Sequence, residues 1–475
     1  LLYNFREQLN NNILIIGPNA LFMDYISEVL PDLGEKDTSF QFTVKELATK
    51  LVRPKRETMR TRDYYERMLT GRDKRFLREA QYKSSLVFKN DLDKAFKDFE
   101  ERQLATEDLV FQNQVVMSAE ERNQMFTKSQ ARLPYIRRTE KIKRVIRSRV
   151  RDIRNDTLRR LRLLYKSKIQ EAKRNDDYLL QERLKDEQTE TIRAYYVEVY
   201  EYIRSLRTLY EVPTVEDFYA QATEAAEDKI WTEDDLLGLL YIKTKLEGKG
   251  CYPIRHLVID EAQDVSIFGF HVLRQVTGAE SYTVVGDVRQ KIKGSRHNSM
   301  MDLWEKVLSK DEREKIKYFE LDLSYRSTRQ IIEYAGGLLK HKNEIRAVDR
   351  DGEEVRHLTF QNPMELGDMI ATEAKNLLSD PHMENCAILC QTIAEAKILY
   401  GLVKDKIDCT LVASEKDANK SNVMILPVYF AKGLEFDTVI AVEASKPKED
   451  GLLSYILCTR ALHKLVHITA GDLIL

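Results

Sequence analysis

Residues 12–18, Asn-Ile-Leu-Ile-Ile-Gly-Pro, form a short unbroken apolar run closed by turn residues. That is the pattern of a strand buried on both faces of a parallel sheet. His256 to Ile259, Tyr282 to Val285, Val423 to Val428 and Thr438 to Val442 repeat it, and Cys386 to Cys390 reads as a further buried strand. Helical spacing lies between these runs, as over Leu21 to Leu33, and Thr232-Glu233-Asp234-Asp235 ahead of Leu236-Leu237 predicts a capped helix start. Strands alternating with helices predict α/β layers. Residues 51–212 break the pattern, with one Gly (Gly71) and two Pro (Pro54, Pro134) in 162 residues. There Ile142, Val145, Ile146, Val150, Ile153, Leu161, Leu164, Tyr165 and Ile169 recur at helical spacing. A helix from about 136 to 175 would reach about 60 Å at 1.5 Å per residue. The spacing predicts an antiparallel helical hairpin inserted into the first α/β domain.

The chain has 475 residues, material for about three domains. At 43% hydrophobic it can build cores, and with 32% charged residues it is neither collagenous, nor a disordered tail, nor a disulfide mini-protein. No stretch reaches the roughly 18 consecutive apolar residues of a membrane span, so no membrane partner is expected. Leu1 to Arg6 shows neither a basic n-region nor a cleavage site, and there is no starting Met, which points to a fragment. The five Cys lack metal-ligand spacing and read as reduced core thiols in a cytoplasmic protein.

The net charge of -1 hides an asymmetry. Residues 51–174 carry 34 basic and 18 acidic side chains, a net of +16, so the remainder carries -17. Within that stretch, 132–174 holds 17 basic and 4 acidic residues, whereas 91–121 holds 9 acidic and 3 basic. Adjacent blocks of opposite sign suggest surfaces that meet a charged partner, with a solvated helical face as the plainer reading.

Candidate chemistry sits at strand ends. Leu257-Val258-Ile259 runs into Asp260-Glu261-Ala262-Gln263-Asp264, which places one carboxylate to hold Mg²⁺ and the next to polarise a water. Val284-Val285-Gly286-Asp287-Val288-Arg289-Gln290 ends another buried strand, where a Gln can sense a terminal phosphate. Ligands bind at the carboxyl edge of such sheets. In Leu323-Ser324-Tyr325-Arg326-Ser327-Thr328, the Tyr can stack on a base and the Arg can pair with phosphate oxygens. Ala431-Lys432-Gly433-Leu434-Glu435-Phe436-Asp437 lies between two strands, and Leu457-Cys458-Thr459-Arg460-Ala461 precedes the last one. Singly, each string is equally a capped helix, a tight turn or a surface Arg.

In this order, the five strings resemble the motifs of the UvrD-like superfamily 1 helicases over residues 12–50 and about 213–475. The resemblance implies two RecA-like P-loop NTPase domains with ATP between them: 1–50 with 213–318, and 319–475, the helical arm 51–212 being an all-α insertion in the first. By motif, it implies Asp260 as Mg²⁺ ligand, Glu261 as general base and Gln290 as γ-phosphate sensor. Tyr325 would stack on adenine, Arg326 would contact the γ-phosphate, Glu435 after Gly433 would meet the ribose, and Arg460 would be the arginine finger. Leu1 to Arg6, Ile15 to Asn19, Phe22 to Ser27, Val29 to Glu35 and Leu236 to Tyr241 are similar to HelD proteins. Membership there implies a monomeric, ATP-dependent motor that binds bacterial RNA polymerase and helps release it from DNA. A UvrD-type DNA helicase or translocase is the alternative, and a binding module without catalysis is the third reading.

The sequence departs from the family at one point. Superfamily 1 enzymes hold the phosphates with Gly-x-x-x-x-Gly-Lys-[Ser/Thr], and no Gly-Lys-Ser or Gly-Lys-Thr occurs here. Gly248-Lys249 is followed by Gly250, and Lys293-Gly294-Ser295 runs the wrong way. The expectation is therefore a HelD-type chain without its N-terminal arm and Walker A loop, catalytically inactive by itself. The long second-domain insertion of unwinding helicases is also missing, since only 96 residues (327–422) separate the Ser-Tyr-Arg and Val-Met-Ile-Leu strings.

Overall fold

The structure, a computed structural model, describes residues 12–32, 39–248, 254–291, 306–321, 323–340, 346–347, 350–414, 421–444 and 451–471. Leu1 to Arg6, Leu33 to Glu35, Lys249-Gly250 and Lys293 to Ser295 lie outside the described residues.

The chain enters β1 (Ile13–Gly17), whose five residues are all buried, then α1 (Ala20–Asp32), β2 (Ser39–Thr43) and α2 (Val44–Val52). Thr43 caps α2: its hydroxyl accepts the Glu46 N–H at 3.1 Å, and the Glu46 carboxylate accepts the Thr43 N–H at 2.8 Å. Helices α3 (Thr61–Thr70), α4 (Lys74–Lys83) and α5 (Leu86–Arg102) lead to a β-hairpin, β3 (Leu109–Phe111) and β4 (Gln114–Met117). The long α6 (Tyr135–Arg174) and α7 (Tyr178–Ser205) follow, then α8 (Glu233–Leu246), β5 (His256–Ile259), α9 (Ile267–Thr277) and β6 (Ser281–Val284). The remainder runs β7 (Leu323–Ser324), α10 (Arg329–Gly337), β8 (Arg346–Ala347), β9 (Arg356–Phe360), α11 (Pro363–Leu378), β10 (Cys386–Cys390) and α12 (Ile393–Val403). It closes with β11 (Thr410–Leu411), β12 (Val423–Pro427), β13 (Phe436–Glu443), α13 (Leu452–Cys458) and β14 (Ala461–Ala470).

Two parallel sheets organise the body. The first has the order β2-β1-β5-β6, and the second β11-β12-β10-β13-β14-β9. Side-chain alternation splits the second sheet cleanly. Ala387, Leu389, Val439 and Ala441 pack towards Ile331 of α10 and Ile456 of α13. Cys386, Ile388, Ile440 and Val442 pack towards Ile370 of α11 and Leu399 of α12. Both faces need cover, so the strands read as continuous apolar runs. These are helix-flanked parallel sheets, consistent with RecA-like domains, and every strand expected from the hydrophobic pattern is present. The one expected to be buried over Tyr282 to Val285 is instead an edge strand among the described residues, with Ser281 exposed, Tyr282 to Val284 half-buried and Val285 exposed.

The insertion departs from expectation in two respects. Residues 90–226 with 241–250 form a compact unit of their own, whereas 51–89 belong with the sheets. The reason lies in their partners: Tyr64 OH donates to Asp234 at 2.7 Å, Lys83 pairs with the buried Asp235, and Glu66 accepts the Ile393 N–H at 2.7 Å and the Tyr429 OH at 2.9 Å. The expected all-α character is also corrected, because β3 and β4 pair antiparallel. Gln112 and Asn113 between them have φ of 50° and 60°, the left-handed pair that closes a two-residue hairpin. Phe111 then packs on Tyr202, with ring centroids 4.7 Å apart.

Within this unit α6 is unbroken for 40 residues, one residue displaced from the predicted span. It buries Tyr135, Ile142, Ile146, Val150, Leu158, Tyr165 and Ala172. Tyr165 OH meets Glu187 and Thr191 of α7, each at 3.1 Å, so the two helices run antiparallel. The acidic block partly answers the basic one: Arg138 pairs with Glu100 at 2.8 Å, and Arg149 reaches Glu121 with both terminal nitrogens. Among the described residues no helix is long and apolar enough to cross a membrane.

Candidate nucleotide site at the strand ends

The acidic strand end is held by backbone before any side chain acts. Asp260 N–H donates to Ile16 O and Ala262 N–H to Val285 O, both at 2.9 Å, which ties the turn to the strands on either side. Between them Glu261 adopts φ 48°, a left-handed conformation for a non-glycine residue, and its N–H donates to Asp260 Oδ1 at 2.8 Å. Such conformations persist where the surroundings over-determine them, often at functional sites. The buried Gln263 donates to Glu261 Oε2 and accepts the Asp287 N–H at 3.0 Å. A side chain at Gly286 would stand 2.6 Å from Gln263 Oε1 and 3.1 Å from the Ala262 nitrogen, so glycine is required for this approach.

The second sheet sends two cations to this edge. Lys432, 2% exposed, follows the apolar run Val428 to Ala431. Its ammonium pairs with Asp264, lies 3.4 Å from Glu261 Oε2 and donates to Gln290 O at 3.2 Å. Asn19, beyond β1, donates to Lys432 O at 2.8 Å. The next residue, Gly433, has φ +82°, and a Cβ there would sit 2.7 Å from Phe22 Cδ2. Arg460, 3% exposed, donates to Gln290 Oε1, while its Nε is buried with no hydrogen-bond partner among the described residues. Arg326 pairs with Glu435 at 2.7 Å. Tyr325 stands 67% exposed.

Electrostatics follow from this packing. Burial raises the Asp260 pKa, the neighbouring Glu261 carboxylate adds to it, and Arg326 and Lys432 oppose the shift. Burial weighs against the Arg460 charge, which Glu261 and Glu435 support. Lys291 is pushed down to about 8, mainly by burial and against the pull of Asp264.

Arg460 is also braced from behind. Ser454 in α13 donates to Glu443 Oε1 at 2.6 Å, and Glu443 Oε2 lies 3.2 Å from His467 Nε2. His467 Nδ1 meets the Tyr334 hydroxyl of α10 at 2.8 Å. This buried chain joins the helix before Arg460 to the helix after Arg326. Ser327 adds a direct tie, donating to Ala461 O at 2.6 Å.

The candidates from the sequence thus gather along one edge: Asp260, Glu261 and Gln290 from beside the first sheet, with Arg326, Gly433, Glu435 and Arg460 from beside the second, and Tyr325 exposed next to Arg326. Sequence reasoning gave no role to Gln263, which ties the Glu261 turn to Asp287, or to Lys432 and Asp264, the pair that joins the two sheets. The signal available was a lysine ending a continuous apolar run. The residues fit a magnesium nucleotide in part. Two carboxylates, two arginines and a buried Arg460 Nε without a partner among the described residues suit the metal and terminal phosphate, and an exposed tyrosine suits a base. The cleft at Gly17, Asn19, Thr43, Asp260 and Glu261 has a volume of only about 40 Å³, against roughly 300–1,000 Å³ for small-molecule sites. No Gly-Lys-[Ser/Thr] loop is present in the sequence to cradle phosphates.

Part of the chain is similar to superfamily 1 helicases. Residues 319–416 match the UvrD-like helicase C-terminal domain. An ATP-dependent DNA helicase, so named with a qualifier, of Acanthamoeba polyphaga mimivirus is 26% identical over 211 residues, covering 40% of this chain and 29% of the viral protein. The chain thus spans under a third of that relative. Among solved structures, the C-terminal domain of a possible DNA helicase from Lactobacillus plantarum is 28% identical over 32% of this chain and 90% of its own, with a TM-score of 0.27. An arterivirus nonstructural protein 10 helicase complexed with DNA is 13% identical over 45% of this chain and 39% of its own, with a TM-score of 0.24.

Proposed function

We propose that this chain is the motor portion of a HelD-type protein, a superfamily 1 helicase relative that binds bacterial RNA polymerase in the cytoplasm and remodels or releases it from DNA. The observation that carries the motor reading is the meeting of Arg460 and Lys432 with Gln290, Glu261 and Asp264 across the two sheets. Bound Mg²⁺–ATP would supply the phosphoanhydride whose cleavage does work. Asp260 would hold the metal, Glu261 would take a proton from water at its free carboxylate oxygen, and Arg326 and Arg460 would face the terminal phosphate. Tyr325 would stack on the base, with Gly433 and Glu435 at the ribose. Gln290, already bonded to Arg460, would pass the state of that site between the sheets. The sequence holds no phosphate cradle, so we assign no turnover to this chain by itself. The HelD reading is supported by the strings quoted above and by a helical unit in the first domain where HelD carries an arm. A UvrD-type DNA translocase is the second reading, supported by the match at 319–416.

The test uses the full-length protein. Glu261→Gln should keep nucleotide binding and lower ATP hydrolysis by about 10² or more, as loss of a general base does; unchanged turnover would remove Glu261 from the mechanism. Co-purification with core RNA polymerase and absence of duplex unwinding favour the HelD reading. Unwinding without polymerase binding favours the alternative.

A further inference from the structure

Helix α6 carries more basic charge than its packing uses. At about 100° per residue, Arg137, Lys141, Arg144, Arg151, Arg159, Arg162, Lys166 and Lys173 fall within about 40° of one line along the helix. All eight are exposed. None has an ion-pair partner among the described residues; the pairs this helix makes use Arg138, Lys143, Arg147, Arg149 and Arg160 instead. The acidic residues of α6, Glu140, Asp152, Asp156 and Glu171, all fall outside this sector. The other positions within it are exposed Ser148 and Asn155 and half-buried Ile169. From Arg137 to Lys173 the line extends about 54 Å at 1.5 Å per residue.

We infer that this line is a binding surface for the phosphodiester backbone of a nucleic acid, separate from the strand-end site. Eight like charges held in a row repel one another, and the row gains most from a polyanion of similar length. A duplex presents about one negative charge per 1.7 Å of axis, roughly 30 over this span. Ser148 and Asn155 are hydrogen-bond donors of the kind that contact phosphates. A protein partner is the poorer fit, because stable protein interfaces centre on apolar and aromatic anchors and no exposed apolar side chain lies in the row. Contacts to phosphate carry no sequence information directly, so binding through this row is expected to be independent of sequence.

The test needs no nucleotide and leaves the motor site untouched. Fluorescence anisotropy of a labelled 20-base-pair duplex and a labelled 20-nucleotide strand is followed on the full chain between 50 and 200 mM salt. Replacing Arg144, Arg151, Arg159 and Arg162 with Gln should weaken binding at least about tenfold. It should also flatten the slope of log affinity against log salt by about one per residue removed. The Arg→Lys set at the same positions should bind close to wild type, and a control with Gln at exposed Arg72, Lys74, Arg75 and Lys404 should change little. The relative loss on the two probes tells duplex from single strand. Circular dichroism checks α6, and if the fourfold variant is not helical the single variants, each about one off the slope, take its place. Equal affinity and slope in wild type and Gln variants would overturn the inference. So would a poly-glutamate chain that displaces both probes at equal charge concentration, since that would assign the row to an acidic protein.

Discussion

Replacing Lys432 with Met removes the buried cation that joins the sheets while keeping most of its volume. At 3.4 Å from Glu261, a unit charge pair has about 5 kcal/mol of gross attraction at an effective dielectric constant near 20. Desolvation of the ammonium offsets much of this. What remains on truncation is the cost of leaving carboxylates buried without their partner, about 3–5 kcal/mol for a fully buried pair. Asp264 also faces Lys291, and Glu261 keeps its bond from Gln263, so the loss belongs at the lower end, about 3 kcal/mol. At roughly 2 °C per kcal/mol for a body of this size, the melting temperature should fall by about 6 °C. Urea and thermal melts followed by far-UV circular dichroism measure both. Adding Asp264→Asn to the Met variant should recover part of the loss, because one orphaned charge is gone. A Met variant within 1 kcal/mol of wild type, with no coupling to Asp264, would refute the electrostatic tie.

Three further outcomes follow from other groups. Gly433→Ala should cost about 1–3 kcal/mol, since it combines positive φ with a close approach to Phe22, and Phe22→Leu should return part of it in the same urea assay. Glu443→Gln leaves a neutral amide between Ser454 and His467; a loss of about 1–3 kcal/mol is expected, and full stability would show that the carboxylate is dispensable. The Glu79 carboxyl is half-buried, which alone would raise its pKa, but hydrogen bonds from Lys229 and Lys83 hold it down to about 2. Its folded pKa lies below the unfolded value, so its stabilisation is present above the ordinary carboxylate range near 4.5 and fades as pH falls towards 2. Acid unfolding of Glu79→Gln should lack that component.

The strands most legible in the sequence are those buried on both faces, although the apolar run of β6 was legible too and lies half-buried at a sheet edge. β1, β5, β10 and β12 are unbroken apolar runs, whereas edge strands β2 (Ser-Phe-Gln-Phe-Thr) and β9 (Arg-His-Leu-Thr-Phe) mix polar residues and carry no such signal. The site residues were legible through the order of five short strings. The contacts that bring them together were not: Lys432 and Asp264 are 168 positions apart, and Arg460 and Gln290 are 170 apart. The β-hairpin at 109–117 lay hidden inside an acidic block whose charge masked its Val-Phe…Val-Val alternation. The edge of the helical unit was illegible for a similar reason. α3 and α4 share its poverty in glycine and proline, and only the partners of Tyr64, Glu66 and Lys83 reveal where they belong.

Those partners decide how the protein can be shortened. A deletion of 51–212, the span that composition suggests, would withdraw the Glu66 carboxylate from the start of α12 and from Tyr429. It would also take the Tyr429 ring's stacking partner Tyr65 and leave Asp235 without Lys83. The product would be a damaged body rather than an armless one. A cut from 90 to 226 keeps all of these residues. The segment from 241 packs with the excised unit, and its buried Ile242 and Leu246 would then need polar replacements. Only the second excision yields a fair control for asking what the long helices contribute.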